Sequence, residues 1–313
     1  MTLIGQPAAT SGGRAVERQR PRVGVVKFAS CDGCQLTILD LEDHLLALTD
    51  RFDFTEFAEA TSKRSSGPFD ILFVEGSIST PEQAVEIVRL RAATRTLVTI
   101  GACATAGGIQ ALRTASEHEA FRAAVYPSPA FVDSLAVASP ISSHVTVDFE
   151  LRGCPIDGHQ LIELLTAVAT GRRPQLPDQA VCLECKRRGY ECVVVTRGEP
   201  CLGPVTQTGC GAICPGMGRG CYGCFGPREG ANVDSLASWY TDGPSGPRAP
   251  VDVGRLFAGF TGASPPFRGI TDRLGGRPAL PMRPAMAHPP ELVEGAPPTW
   301  GPQPAGEAAD AHE

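Results

Sequence analysis

Short apolar runs alternate with helix-like patterns between residues 21 and about 172. The runs that predict strands are RVGVVKFA, FDILFVEG, TLVTIG and VTVDFELR. Apolar residues at helical spacing occur in QLTILDLEDHLLAL, PEQAVEIVRLRAA, a segment near 117–124 and GHQLIELLTAVAT. Strand and helix patterns that alternate in this way are typical of a doubly wound parallel sheet.

The helix that begins at residue 81 carries its own start signal. Thr80 is a suitable N-cap, Pro81 occupies the first helical position, and Gln83 is placed to complete a capping box. Each of these residues satisfies or avoids an unpaired backbone N–H group in the first helical turn. The sequence therefore predicts the start of this helix as well as its apolar face.

The pattern changes between about 178 and 230, where Cys, Gly and Pro are frequent and large apolar residues are few. Such a segment cannot bury enough apolar surface to order itself, so we expect bound metal to order it. A modest stretch after 231 could pack against the rest of the chain. The composition of residues 1–20 predicts a disordered leader, and the Pro-rich tail from 271 predicts a disordered or wrapping extension.

Composition narrows the class of protein. The chain has 313 residues and a net charge of -6, which argues against binding to nucleic-acid phosphates. No apolar run reaches the length of a membrane span and the first twenty residues lack an export signal, so a cytoplasmic location is expected. Twelve cysteines are many for a reducing compartment, because free thiols there are exposed to oxidation. Bound metal would explain them.

Four cysteines come directly after predicted strands. Cys31 and Cys34 follow the first strand, Cys103 follows TLVTIG, and Cys154 follows VTVDFELR. The carboxyl ends of parallel strands meet at one edge of a sheet, so these loops can converge. Four thiolates at one point would hold a [4Fe-4S] cluster. The other eight cysteines are Cys182, Cys185, Cys192, Cys201, Cys210, Cys214, Cys221 and Cys224.

Two other uses of the cysteines remain open at this point. A disulfide framework would need an oxidising compartment. Structural zinc is a stronger alternative, because the pairs Cys182/Cys185 and Cys221/Cys224 have the spacing of zinc-ribbon ligands. Zinc accounts poorly for the first four cysteines, because their loops are far apart in sequence. Three zinc sites in one chain would also have no evident purpose, whereas three redox clusters in a row would conduct electrons. A zinc-stabilised structural scaffold is the alternative from another class.

Together the motifs resemble the small subunit of [NiFe] hydrogenases over residues 22 to about 228. The motifs are Cys31-Asp-Gly-Cys34, Gly101-Ala-Cys103, Gly153-Cys154-Pro155 and the spacing of the eight later cysteines. The resemblance implies that Cys31, Cys34, Cys103 and Cys154 hold a proximal cluster that faces the nickel-iron centre of a separate large subunit. It also implies that this chain carries no catalytic residue and is inactive without that subunit.

The later ligands depart from the membrane-bound uptake pattern at two positions. Cys182 stands where that pattern has His, which implies a distal set of Cys182, Cys185, Cys192 and Cys201. Cys214 stands where it has Pro, which implies a medial set of Cys210, Cys214, Cys221 and Cys224. All three sets then resemble ligands of [4Fe-4S] clusters. A thiolate in place of an imidazole lowers the cluster potential, which suits a nicotinamide-type acceptor better than a quinone.

The chain most resembles the delta subunit of cytoplasmic NAD(P)-linked bidirectional hydrogenases, also called sulfhydrogenases. Flavin and NAD(P) are expected on partner subunits beside a ferredoxin-like chain, because no dinucleotide fingerprint or P-loop is present. The alternative within the superfamily is an F420-non-reducing hydrogenase that feeds a heterodisulfide reductase. The quinone-reducing subunit of complex I is disfavoured, because its pattern contains adjacent cysteines and Cys31-Asp-Gly-Cys34 does not.

We therefore expect an α/β chain with a flavodoxin-like doubly wound parallel sheet, followed by a loop-rich iron-sulfur cluster domain. The expected segments are a leader (1–20), the flavodoxin-like domain with the proximal cluster (21–175), the cysteine-rich domain with the other two clusters (176–230) and an extension (231–313).

Three further features are open to more than one interpretation. Glu75 closes an apolar strand and is either a satisfied strand-end carboxylate or a group that contacts the large subunit or handles protons. His159 is expected in the first turn of a helix rather than beside a cluster. The basic run 186–188 is either a solvated surface or a docking site for an acidic acceptor near the distal ligands.

Overall fold

The computed structural model describes residues 20–115, 118–243 and 247–275. The predicted leader, except for residue 20, and the tail beyond 275 lie outside the described residues. The tail was expected to begin at 271, but residues 271–274 form the end of a helix (Pro265–Leu274). The five strands are β1 (Arg22–Lys27), β2 (Asp53–Phe57), β3 (Phe69–Glu75), β4 (Thr94–Ile100) and β5 (Phe149–Leu151). They form one sheet in the order β2-β1-β3-β4-β5, with every neighbouring pair parallel. This is the flavodoxin-like order, so the predicted α/β fold is confirmed.

Helices cover both faces of the sheet, and further helices follow it. The helices are α1 (Gly33–Leu39), α2 (Asp43–Thr49), α3 (Pro81–Ala92), α4 (Gly101–Ala106), α5 (His118–Val125), α6 (Gly158–Ala169), α7 (Val181–Arg187), α8 (Val193–Arg197), α9 (Ile213–Gly216), α10 (Val233–Asp242), α11 (Pro250–Phe257) and α12 (Pro265–Leu274). None of the described helices is long and apolar enough to cross a bilayer.

The central strand β3 shows why the apolar runs predicted strands. Ile71 and Phe73 belong to the core on one face of the sheet, whereas Leu72 and Val74 belong to the core on the other. All four side chains are buried. A strand covered on both faces is apolar at every position, because successive side chains point to opposite faces. The capping box of α3 also forms as predicted, with Thr80 and Gln83 bonded reciprocally.

Three details differ from the sequence-based expectation. The helical pattern at 35–48 is broken into α1 and α2, with Glu42 between them at φ 49°. The strand expected over 145–152 is limited to β5. The edge strand β2 was not predicted at all. In each case a tertiary contact or edge position outweighs the local pattern.

The cysteine-rich segment contains three short helices and shares a core with the chain that follows it. Leu202 and Val205 of this segment pack in one cluster with Tyr240, Phe257 and Phe267 from α10, α11 and α12. The segment is therefore covered by apolar side chains that come from later in the chain. The segment boundaries expected from the sequence stay a prediction.

Candidate metal centres

The first four cysteines lie at the carboxyl edge of the sheet. Cys31 follows β1, Cys34 lies in α1, Cys103 lies in α4 directly after β4, and Cys154 follows β5. Burial raises the pKa of the Cys34 thiol, and charge on Glu75, Cys103 and Cys154 raises it further. Burial also raises the pKa of Cys103 to about 11, with contributions from Cys154 and Cys31. These mutual effects show that the structure brings the four thiols together.

Glu75 ties β3 to the helix that carries Cys34. Its Oε1 accepts a hydrogen bond from the Cys34 backbone N–H at 3.1 Å, and its Oε2 accepts one from Gln35 Nε2 at 3.1 Å. The Glu75 side chain is buried. Burial raises the pKa of its carboxyl group, whereas the two hydrogen bonds oppose that rise. Glu75 is therefore a satisfied strand-end carboxylate that also positions a candidate ligand.

Two glycines let the backbone approach the first set of thiols. A Cβ at Gly101 would overlap Cys34 Sγ, and a Cβ at Gly108 would lie 2.6 Å from Cys103 Sγ. Both glycines have positive φ, 85° and 65° respectively. Only glycine combines this conformation with such a close approach.

Part of this edge is open to solvent. Cys31 and Cys154 are exposed, and nearby Leu36 is 49% exposed. An exposed apolar side chain beside exposed candidate ligands fits a surface that a partner chain covers.

The candidate distal ligands share one cavity. Cys182, Cys185, Cys192 and Cys201 all line a cavity of about 240 Å³, together with apolar residues that include Val181 and Trp239. A Cβ at Gly203 would lie 3.2 Å from Cys201 Sγ and 3.5 Å from Cys182 Sγ, so this glycine keeps space beside two of the sulfurs. Burial raises the pKa of Cys182 to about 11, and the other three thiols add to the rise.

Backbone N–H groups point at the sulfurs of the candidate medial ligands. Burial raises the pKa of Cys210, and the N–H groups of Ala212 and Ile213 oppose that rise. The Gly223 N–H donates to Cys221 Sγ at 3.4 Å. Negative charge on Cys210 and Cys214 raises the pKa of the Cys224 thiol, so these three thiols are neighbours. N–H groups directed at sulfur stabilise its anionic form.

Backbone N–H groups also connect one set of cysteines to the next. Burial raises the pKa of the Cys224 thiol to about 12, and the backbone N–H of Cys154, which interacts with the same sulfur, opposes the rise. The Cys221 backbone N–H donates to Cys201 Sγ at 3.1 Å. The spatial order is therefore the first set, then the set containing Cys221, then the set containing Cys201.

The sequence did not indicate a buried tyrosine at the distal set. The Tyr240 hydroxyl accepts a hydrogen bond from the Cys201 N–H and donates one to the Cys201 carbonyl oxygen. Burial raises the pKa of Tyr240 to about 12. The only available signal was the apolar spacing of Val233, Ala237 and Tyr240, which predicts a packed helix face but no contact with a cysteine.

His159 does not join a candidate site. It lies in the first turn of α6, as the sequence predicted. Its side chain is 94% exposed, and its nearest ionic neighbour is Asp157 at 3.9 Å. A solvent-exposed imidazole of this kind has no sulfur to bond.

The residues present fit iron-sulfur clusters. All twelve cysteines are free thiols and all lie in the described part of the chain. Across residues 20–115, 118–243 and 247–275, no three His, Cys, Asp or Glu side chains are grouped as a site for one metal ion. Sets of four thiolates are the usual ligands of [4Fe-4S] clusters. The cavity at the distal set is lined mainly by apolar side chains beside the four thiols.

Known proteins are similar in sequence to much of this chain. A family model described as NADH ubiquinone oxidoreductase, 20 Kd subunit, matches residues 31–168. Sulfhydrogenase 2 subunit delta of Pyrococcus furiosus is 40% identical over 216 residues, which cover 69% of this chain and 90% of that protein. A subunit of the F420-non-reducing hydrogenase vhu of Methanocaldococcus jannaschii is 29% identical over 250 residues, which cover 69% of this chain and 86% of that protein.

Among solved structures, the crystal structure of an NAD+-reducing [NiFe]-hydrogenase in the H2-reduced state matches with a TM-score of 0.48 and 29% identity. The match covers 51% of this chain and 96% of that chain. The identity to the sulfhydrogenase subunit extends over nearly the whole of that relative. The chain therefore belongs to the family of [NiFe] hydrogenase small subunits, as its cysteine motifs predicted, and is an oxidoreductase subunit of an iron-sulfur family.

Proposed function

We propose that this chain relays electrons through three [4Fe-4S] clusters. The electrons pass between the nickel-iron centre of a hydrogenase large subunit and a nicotinamide-type acceptor on flavin/NAD(P) and ferredoxin-like subunits. The proximal ligands are Cys31, Cys34, Cys103 and Cys154, the medial ligands Cys210, Cys214, Cys221 and Cys224, and the distal ligands Cys182, Cys185, Cys192 and Cys201. The cytoplasmic location expected from the sequence stays a prediction.

One observation carries this proposal, namely that backbone N–H groups of candidate ligands interact with sulfurs of the next set. Cys154 interacts with Cys224, and Cys221 donates to Cys201. Each interaction spans two of the proposed sets, which supports a row with the exposed cysteines Cys31 and Cys154 at one end and the exposed Cys192 at the other. A row of redox sites that is exposed at both ends is suited to carrying electrons from one partner to another.

The overall reaction balances with one-electron carriers. Oxidation of H2 on the large subunit yields two protons and two electrons, and reduction of a nicotinamide consumes two electrons and one proton. [4Fe-4S] clusters supply reversible one-electron transfer when bound. The role of this chain's residues is to hold the ligand sulfurs, direct N–H groups at them and line the distal cavity with apolar side chains.

A second candidate is the small subunit of an F420-non-reducing hydrogenase. Similarity to the Methanocaldococcus jannaschii relative over 86% of its length favours this candidate. The two candidates differ in their partners, so copurification from the native host discriminates them. Flavin- and NAD(P)-binding chains would support the first candidate, and a heterodisulfide reductase would support the second.

Metal analysis tests the proposed function. Anaerobically purified complex is expected to contain, on this chain, about twelve irons with matching acid-labile sulfide and little zinc. Replacement of Cys192 by serine should remove about four of these irons, because Cys192 belongs to the distal set alone. Zinc at one or more equivalents with iron below about eight would instead support the structural scaffold.

The basic run beside the distal ligands divides into two parts. All three residues of the run are exposed, and Lys186 and Arg187 end α7. Arg188 also lies against the loop of the medial set, where a Cβ at Gly211 would be 3.1 Å from Arg188 Nη2. Lys186 and Arg187 are therefore the pair whose replacement tests docking of an acidic acceptor without disturbing that contact.

We expect the double variant Lys186→Gln/Arg187→Gln to slow electron transfer to the natural acceptor by about tenfold at low salt. Its rate should also depend less on ionic strength, because fewer charges are screened. Hydrogen oxidation with a small artificial dye is the internal reference and should be unchanged. Lys63→Gln/Arg64→Gln removes the same charge from a distant exposed loop and should affect neither rate. Equal loss in both double variants would exclude a docking role.

A further inference from the structure

A single hydroxyl group holds the backbone of Cys201 on both sides of its Cα atom. The Cys201 N–H donates to Tyr240 Oη at 2.8 Å, and Tyr240 Oη donates to the Cys201 carbonyl oxygen at 2.9 Å. Tyr240 is 3% exposed, so water does not replace these bonds. A hydroxyl that bonds both peptide groups of one residue restrains the φ and ψ angles of that residue.

The side chain of Cys201, a distal ligand, contacts the medial set. Cys201 Sγ accepts hydrogen bonds from the Cys221 N–H at 3.1 Å and the Gly203 N–H at 3.4 Å. The Leu202 N–H donates back to the Cys221 carbonyl oxygen at 3.0 Å. A Cβ at Gly220 would overlap the Pro200 carbonyl oxygen, so these two stretches of chain are in close contact. The orientation of Cys201 therefore decides whether this contact forms.

Tyr240 is itself rigidly held. It projects from α10 into the apolar cluster that contains Leu202, Val205 and Phe257. The Arg248 N–H donates to the Tyr240 carbonyl oxygen at 3.0 Å, and Arg248 Nη2 donates to the Gly198 carbonyl oxygen at 2.6 Å. Arg248 thus connects α10 to the chain just before Cys201. These contacts bring the phenol to Cys201 with little freedom to move.

We propose that Tyr240 is a positioning residue for electron transfer between the medial and distal sets. Its hydroxyl fixes the Cys201 backbone, which in turn keeps Cys201 Sγ on the N–H of the medial ligand Cys221. This inference rests on the proposed function and extends it to a residue outside the twelve cysteines. An electron lost by the medial side is gained by the distal side, and no other reactant is needed for this step.

Tyr240→Phe tests the proposal, because it removes the hydroxyl and keeps the ring. We expect the midpoint potential of the distal cluster to fall in a redox titration monitored by electron paramagnetic resonance. The reason is that hydrogen bonds to sulfur stabilise the more negative, reduced cluster. Hydrogen-dependent reduction of the natural acceptor should fall several-fold, whereas H2/D2 exchange on the large subunit should be unchanged. Tyr126→Phe is the control, since that tyrosine directly follows α5 and is 45% exposed.

The outcomes separate this inference from the proposed function. If the wild-type chain lacks a distal cluster by iron count, the proposed function fails. If the wild-type chain has three clusters, an unchanged distal potential in Tyr240→Phe overturns the inference, as does an equal shift in all three clusters. Selective loss of the distal cluster supports it.

A second variant applies if Tyr240→Phe does not fold. Arg248→Gln removes the bond to the Gly198 carbonyl oxygen and keeps the Tyr240 hydroxyl. It should produce a smaller shift of the distal potential alone. A distal potential equal to that of the wild type would overturn the inference.

Discussion

Replacement of Gly101 by alanine is expected to abolish the proximal cluster and to remove about four of the expected twelve irons. Gly101 begins α4 with φ 85°, and a Cβ there would overlap Cys34 Sγ. Cys34 cannot move away easily, because it is buried and its N–H is held by Glu75. The Ala102 N–H also bonds the Gly153 carbonyl oxygen at 2.6 Å, which fixes the other side of the contact.

Gly171→Ala is the control for backbone strain in this experiment. Gly171 has a similar φ of 69°, but a Cβ there meets no atom within 4 Å. Left-handed backbone costs a residue with a Cβ about 1–2 kcal/mol, so this variant should lose a little stability and no iron. Iron content and the electron paramagnetic resonance signals of the reduced complex distinguish the two variants. Full iron content in Gly101→Ala would show that the Cys34 sulfur is not fixed at this contact.

The central strands were predictable because the local sequence indicates that they are buried. β1, β3 and β4 are covered on both faces, so their apolar runs are nearly continuous. The edge strand β2 reads DFTEF, in which only the last two residues are buried. Its pairing with β1 is a long-range contact, and the short polar pattern does not predict it.

The break between α1 and α2 also depends on a distant residue. Leu41 turns towards the start of α6, where a Cβ at Gly158 would lie 2.7 Å from Leu41 Cδ2. The leucine spacing over 35–48 is compatible with one continuous helix, so only the packing against α6 reveals the break. Tertiary contacts commonly outweigh helix propensity in this way.

The candidate sites were predictable to different degrees. The convergence of Cys31, Cys103 and Cys154 follows from parallel strand order, since carboxyl ends share one edge. The hydrogen bond from Cys221 to Cys201 and the clamp by Tyr240 join segments far apart in the chain. No local pattern encodes such contacts, because they depend on how the C-terminal helices pack on the cysteine-rich segment.

Glu75→Leu is expected to destabilise the protein strongly. It would leave the Cys34 N–H and Gln35 Nε2 buried without their present acceptors. Each unsatisfied buried donor costs about 1–3 kcal/mol, so the free energy of unfolding should fall by roughly 2–6 kcal/mol. At about 2–4 °C per kcal/mol for a domain of this size, calorimetry of the purified complex should detect the loss as a clear decrease in Tm.

Glu75→Gln should be milder, because Gln35 can compensate in part. Gln35 Oε1 is buried and makes no hydrogen bond within the described residues. If the Gln35 amide rotates, its Oε1 can accept a hydrogen bond from the amide nitrogen introduced at position 75. The amide oxygen introduced with it can still accept from the Cys34 N–H. The Gln35 Nε2 group then occupies the position where Gln35 Oε1 found no partner, so one buried donor lacks an acceptor and the expected loss is about 1–3 kcal/mol, roughly half that of Glu75→Leu.

The same pair of variants separates hydrogen bonding from charge. Both remove a carboxylate beside the proximal ligands, so both should raise the proximal midpoint potential, because less negative charge opposes reduction. Glu75→Leu should lower Tm about twice as much as Glu75→Gln and should also release iron from the proximal set. If the two variants lose equal stability, the charge of Glu75 rather than its two hydrogen bonds holds α1 in place. If neither changes the proximal potential, the carboxylate is too far from the cluster, or too well neutralised by its N–H donors, to influence electron entry.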